Sequence, residues 1–341
     1  KNDYNLNIPR YVTPMDKEIR QDLDAHLHGG IPAVDVDEGL AHYWAVCPSL
    51  KDMVFAPLKG RKGFYEVCAD ATLLADNMES DKSFEKQMLA YGKMVAEWCE
   101  GLVKEGQKID VGCDPKKLVE KWGGALLKLA KEKSALVDPY DVYEVFMNYW
   151  ADVMQDDCYL ISRDGWKVNL VKPKKRNCTW RDFECDLLPP MVLIKDRFPD
   201  EYKGIVDLAA KLESMQAQYD EMMSELEEDD EVPDEALKLK KSIALFKKDL
   251  KEDDLSFTSQ VEDAYEHLGE NSIKELVVFH KWCESLSARF AAEQARVRQQ
   301  TAAEVQSLAA RYADTLPDLE ARVKTLRGRV AAHLKEMGVE A

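Results

Sequence analysis

Asp22, Asp24, His26 and His28 of the stretch DLDAHLH are side chains whose types and close spacing could chelate a metal. Carboxylate oxygens and imidazole nitrogens two residues apart suit a divalent ion, but zinc prefers four ligands and no third histidine lies nearby. Polar loop residues are the expected reading. Asp152, Asp156 and Asp157 of DVMQDD recur at helical spacing and could offer oxygen ligands to a hard cation. A solvated helix end is the plainer expectation. No serine or cysteine has a recognisable base partner, so nucleophilic catalysis has no candidate. The cysteines, Cys47, Cys68, Cys99, Cys113, Cys158, Cys178, Cys185 and Cys283, include no CxxC pair. Trp98-Cys99 and Trp282-Cys283 set thiols among apolar neighbours, where they act as small hydrophobes; reduced, buried thiols of a cytoplasmic protein are expected.

Nucleotide chemistry fares no better. A dinucleotide or phosphate cradle needs a strand, a glycine-rich turn and a helix N-terminus. Neither GxGxxG nor a P-loop occurs, Gly123-Gly124 falls inside a helical pattern, and Gly29-Gly30 follows histidines without a strand. An amino-directed methyl transfer loop needs Asn or Asp directly before Pro-Pro and an aromatic ring after it. In Asp186-Leu-Leu-Pro189-Pro190-Met191, Leu188 takes the polar place and Met191 the aromatic one. Leucine accepts no hydrogen bond, so this Pro-Pro is expected to be a turn before a helix. The run Lys172-Pro-Lys174-Lys175-Arg176, with Trp166 and Trp180 nearby, is the stretch that could hold phosphate. A solvated, charge-protected edge is the competing account.

The formal net charge is −17. Such a chain repels nucleic acid on average, so any contact with DNA needs a local basic patch or another subunit. Acids crowd Asp220–Glu231. No run of eighteen apolar residues suggests a membrane span, and no basic-then-apolar leader opens the sequence, so a cytoplasmic, membrane-free protein is expected.

The elements that must position these residues are mainly helical. Apolar residues at Phe84, Met88, Tyr91, Val95, Trp98 and Leu102 make one stripe over Asp81–Leu102, with Asp81 as cap. Asp114-Pro115 and Asp138-Pro139 each pair an N-cap acid with proline at the first helical position. Cys158–Ser162 and Trp166–Val171 around Arg163-Asp164-Gly165 predict a short β-hairpin near 158–171. Ser272-Ile-Lys-Glu275 predicts a capping box at the head of a helix reaching about Tyr312.

Ile205, Leu208, Leu212, Met215, Tyr219, Met222 and Leu226 recur at three and four residues, a heptad seam. Glu235–Leu250 is expected to fold back on it. Leu319, Val323, Leu326, Val330, Leu334 and Met337 form a last stripe after the break at Asp314-Thr-Leu-Pro317. The expected architecture is mainly α: an irregular tail over 1–32, a mostly helical domain with a hairpin over 33–198, and long antiparallel or coiled-coil helices over 199–341. Part of the apolar surface of those helices pairs within the chain, and their length leaves the rest for a partner.

The stretch NDYNLNIPRYV at residues 2–12 resembles the segment that closes the methyltransferase domain in modification subunits of type I restriction–modification systems. DLDAHLHGGIP, the helix ending in Tyr43-Trp44, DVYEVFMNYWADVMQDDCYLI and the CDLLPP turn are similar to the extended C-terminal region of one branch of that family. The resemblance covers about residues 1–230. It implies part of a site-specific adenine-N6 DNA methyltransferase, with S-adenosylmethionine bound only on an N-terminal domain upstream of these residues. No cofactor is therefore expected on this chain, and whether it is itself an enzyme stays open. The implied partners are the specificity subunit, a second modification subunit and the restriction subunit, with DNA reached through the complex. The Ile205–Leu226 and Leu319–Leu334 seams would pack on the specificity subunit's helices. The alternative is an independent acidic helical scaffold or DNA mimic that binds a basic partner.

Overall fold

The computed structural model describes residues 21–68, 78, 80–175, 178–224 and 233–337. The NDYNLNIPRYV stretch, Arg176, Leu226 and much of the acid-rich run lie outside these residues. In chain order the elements are α1 (Leu23–His28), β1 (Ile31–Pro32), α2 (Ala33–Asp37), α3 (Ala41–Val46), α4 (Pro48–Val54), β2 (Phe55–Pro57) and β3 (Phe64–Val67). Then follow α5 (Lys82–Gly106), α6 (Pro115–Lys133), α7 (Pro139–Tyr149), a π-helical turn (Trp150–Met154) and α8 (Gln155–Asp164). After a 3-10 turn (Trp180–Asp182) come α9 (Pro190–Arg197), α10 (Pro199–Ser224) and α11 (Asp234–Glu266). Helix α12 (Glu270–Glu275) runs through a second π-helical stretch (Leu276–Cys283) into α13 (Glu284–Arg311), and α14 (Leu316–Glu336) ends the described chain.

The fold is mainly α with a small antiparallel sheet of order β1-β3-β2. The chain divides into two compact units, one made of residues up to Gln87 and from Arg296 on, the other of Met88–Ala295. That partition cuts across the boundary expected at 198/199. Its cause is the last part of α13, whose Val297, Ala302, Val305 and Leu308 are buried in the first unit with Val36, Leu40, Tyr43 and Leu50. The Tyr312 hydroxyl donates to Asp35 Oδ2 at 2.8 Å in the same unit.

In the second unit the aspartate caps form as their chemistry dictates. Asp114 accepts from the Lys116 N–H at 3.1 Å and Asp138 from the Tyr140 N–H at 2.7 Å, each followed by proline in the first turn. In the first unit, Asp81 accepts from the Phe84 N–H at 2.8 Å. The interior of the second unit is aromatic: Trp98 lies edge-on to Phe146 at 5.3 Å, and Trp122 to Trp150 at 6.0 Å. Buried indoles need acceptors. Trp98 donates to the Trp122 carbonyl at 3.1 Å, and Trp166 to that of Ile109 at 2.8 Å.

Two local expectations are corrected. Residues 158–162 form no hairpin; they are the body of α8, and the following segment makes only an isolated bridge from Val171 to Glu184. Tyr, Leu and Ile suggested a strand, but the buried positions Met154, Asp157, Cys158 and Ile161 follow a 3.6-residue period, and Gly165 at φ 75° stops the helix. The observed hairpin is β2–β3, with Phe55 opposite Val67 and Pro57 opposite Tyr65. Ser272 caps nothing: α12 starts two residues earlier, after Gly269 in extended conformation, and Lys274 pairs with Glu270 at 2.6 Å instead.

Candidate functional site

The two predicted seams meet different fates. Helix α10 packs antiparallel along α11, as three contacts show: Lys211 lies over the Phe246 ring, Lys247 donates to Gln216 at 3.2 Å, and Lys240 lies over the Tyr219 ring. Ile205 is buried, and Leu208, Leu212, Met215, Tyr219 and Met222 are half-buried, so this seam is largely used within the chain.

Helix α14 is built differently. Thr315 caps it by accepting from the Asp318 N–H, Pro317 stands in its first turn, and none of its residues is buried. Leu319, Val323, Leu326 and Val330 are exposed and Leu334 is half-buried; Leu326 and Val330 are 55% and 57% exposed. With Leu316 and Met337 at its ends, the stripe steps by three and four residues along one side of the helix. Over its 21 residues the helix thus carries an apolar stripe left exposed to solvent, the kind of contiguous surface that contacts with other molecules use.

The basic run is largely neutralised in place. Lys172 pairs with Glu262 at 3.3 Å and Lys175 with Asp182 at 3.2 Å, while Lys174 is exposed. Arg176 falls outside the described residues. The predicted phosphate contact therefore retains one uncompensated lysine among those described.

The metal candidates separate as well. His26 and His28 sit on α1, hydrogen-bonded to Gln21 at 2.7 Å and Asp24 at 3.0 Å. Among the described residues no group of three His, Cys, Asp or Glu could hold a metal ion. Asp152 and Asp156 are exposed, with Asp152 3.4 Å from Arg289. Asp157 departs from the expected solvated helix end because it is buried, at 4% side-chain exposure, against Lys281.

That buried pair lies beside a cleft of about 870 Å³ whose walls include Asp156, Tyr159, Arg163 and Pro189. Lys281 Nζ donates to Asp157 Oδ1 at 2.7 Å and to the carbonyls of Leu187 at 2.9 Å and Asp186 at 3.0 Å. The second Asp157 oxygen accepts from the Trp282 indole at 2.7 Å. Burial pushes the Asp157 carboxyl above its ordinary value, opposed by Lys281 and Trp282. All three ammonium donors are engaged, which leaves Lys281 no free donor for a substrate. The arrangement is a tie: it pins the chain ahead of Pro189-Pro190, where Tyr265 also donates to the Leu188 carbonyl at 2.5 Å. Leu188 is fully buried, so the Pro-Pro segment is a structural turn into α9. Periodicity gave no signal for Lys281, because its partners lie about a hundred residues away.

A further exposed feature escaped the sequence reading. The β2–β3 connection, Leu58–Gly63, carries Lys59, Arg61 and Lys62. Its signal was glycine alternating with bases between two short β-prone runs.

Searches against protein families, curated proteins and solved structures found no match to this chain. Among the described residues no helix is long and apolar enough to cross a membrane.

Proposed function

We propose that this chain is the C-terminal assembly region of a modification subunit of a type I restriction–modification system, gripping the specificity subunit's long helices through α14. One observation carries the reading: the stripe from Leu319 to Leu334 is presented on a capped helix with no buried residue. Apolar side chains held at helical spacing and left in water gain roughly 25 cal/mol per Å² when a second helix covers them. The resemblance of residues 2–12 and 141–161 to that family supplies the partner. In this reading S-adenosylmethionine binding and adenine methylation reside on residues outside this chain, a second modification subunit and the restriction subunit join through the assembly, DNA is reached through the complex, and the complex works in the cytoplasm. Co-expression with a specificity subunit tests it: the two should elute together, while calorimetry with S-adenosylmethionine alone shows no heat. Micromolar S-adenosylmethionine affinity, or separate elution, would sink the proposal.

Salt dependence distinguishes the alternative of an acidic scaffold or DNA mimic, which its −17 charge suggests. Charge pairing with a basic partner is screened over about 8–10 Å at physiological ionic strength. An apolar helix interface loses far less on raising salt. Complex formation that collapses with salt would favour the mimic.

A further inference from the structure

We infer that the tip of the β2–β3 hairpin, Leu58–Gly63, is a contact for the phosphodiester backbone of duplex nucleic acid, made by the side chains of Lys59 and Lys62. The inference deepens the assembly reading, since it names a surface through which such a complex would touch DNA.

The hairpin is fixed at its base and open at its end. Leu58 donates its N–H to the Phe64 carbonyl at 2.9 Å, and Ala33 donates to the Gly63 carbonyl at 2.8 Å. Arg61 is spent on holding the loop: its guanidinium binds Asp24 and the Gly29 carbonyl and lies 3.8 Å from the centre of the Phe64 ring. Its charge is thereby neutralised by an acid. Lys59 and Lys62 differ, being exposed and in no ion pair among the described residues. No Asp or Glu occurs between Met53 and Tyr65, in a chain whose net charge is −17.

The backbone adds to the positive character. Gly60 and Gly63 both have φ 86°, and a Cβ at either would meet nothing within 4 Å. Left-handed glycines let another backbone come close. Among the described residues, the N–H groups of Lys59, Gly60, Lys62 and Gly63 donate to no acceptor. Beside them a hollow of about 470 Å³ is bounded by Ala33, Pro57, Gly60, Lys62 and Tyr65.

A lone small anion is a poor fit, because two exposed ammonium groups in high dielectric hold a single phosphate weakly. A polyelectrolyte is a good one. Each duplex phosphate neutralised by lysine releases condensed counterions, and that entropy gain requires no buried charge. The run at Lys172–Lys175 offers less, having two of its three lysines paired with Glu262 and Asp182.

Binding of the full chain to a fluorescent duplex of arbitrary sequence, titrated from about 50 to about 200 mM salt, tests the inference. Lys59→Ala/Lys62→Ala should flatten the slope of log K against log salt by about 2 and weaken binding at least about tenfold at the low-salt end. Lys59→Arg/Lys62→Arg should retain the wild-type slope. Absent duplex binding by the wild type, an unchanged slope in the alanine pair, or equal loss in the arginine pair overturns it. Displacement of the duplex by millimolar inorganic phosphate at constant ionic strength would assign a small-anion site and overturn it too. Co-elution of the alanine pair with the specificity subunit separates the two claims. Retained assembly with an unchanged salt slope removes the hairpin contact alone, and a flattened slope without any assembly removes the assembly reading alone.

Discussion

Lys281 Nζ lies 2.7 Å from Asp157 Oδ1, and both side chains are nearly excluded from water. The pair joins a π-helical stretch to α8 and holds the Asp186–Leu187 backbone through two more bonds. Removing one partner of a buried ion pair strands the other's charge, at a cost of about 3–5 kcal/mol. Lys281→Met and Asp157→Asn should each lower the unfolding free energy, measured by chemical denaturation, by that amount. The double variant should lose less than the sum of the two, because no charge remains unpaired. Strict additivity would show that the two groups do not share one interaction.

Adjacent glycines in α6 should respond in opposite directions to the same substitution. A Cβ on Gly123 would lie 2.9 Å from Tyr143 Cε2 and 3.2 Å from Phe146 Cε1, whereas one on Gly124 would meet nothing within 4 Å. Gly123→Ala therefore forces the α6–α7 contact apart, costing about 1–3 kcal/mol. Gly124→Ala relieves the entropy penalty of glycine in a helix and should stabilise by up to about 1 kcal/mol. Chemical denaturation of the two variants side by side is the measurement. Equal effects would mean that the close packing at Gly123 is absent.

These cases show what was legible in the sequence. Asp114-Pro115 and Asp138-Pro139 announced their helices because a cap is local chemistry, complete within four residues. The α14 stripe was legible for the same reason, as periodicity needs no knowledge of neighbours. Lys281 was not, since its partners Asp157, Asp186 and Leu187 come from far along the chain. The hairpin was misplaced because β-prone composition at Cys158–Ser162 competes with helical burial spacing, and only packing decides between them. Likewise the joining of α13's end to the first unit rests on contacts such as Tyr312 to Asp35, which no local pattern encodes.

Glu105 carries a pH-dependent contribution. Its carboxylate sits 2.8 Å from Lys121 and accepts from the Trp122 indole at 2.9 Å. The hydrogen bond from Lys121, reinforced by Trp122, holds its pKa below the ordinary 4.5. A depressed carboxyl stabilises the fold above the unfolded pKa, and that stabilisation is lost as pH falls through the folded value. Glu105→Gln should thus cost about 0.5–1 kcal/mol at neutral pH, a modest figure because both groups stay partly in water. The difference from wild type should begin to shrink as pH falls past the ordinary carboxyl value and vanish only below the lowered folded one. A penalty of constant size across that range would point to lost packing rather than lost charge.

The two seams provide the last test, because the same charge insertion should unfold one and spare the other. Leu212 is half-buried in the α10–α11 pair, so Leu212→Glu forces a carboxylate into apolar surroundings and should lower stability by about 1–3 kcal/mol. Leu326 is exposed on α14, and Leu326→Glu with Val330→Glu meets water; thermal unfolding should move by no more than about 0.5 kcal/mol. Capture of the specificity subunit should show the converse. The α14 variant, though folded, should fail to co-elute, since a charge in the centre of an apolar helix interface must be desolvated without a partner. A Leu326→Met control keeps the stripe apolar and should retain assembly. An α14 double variant that assembles normally would remove this helix from the interface.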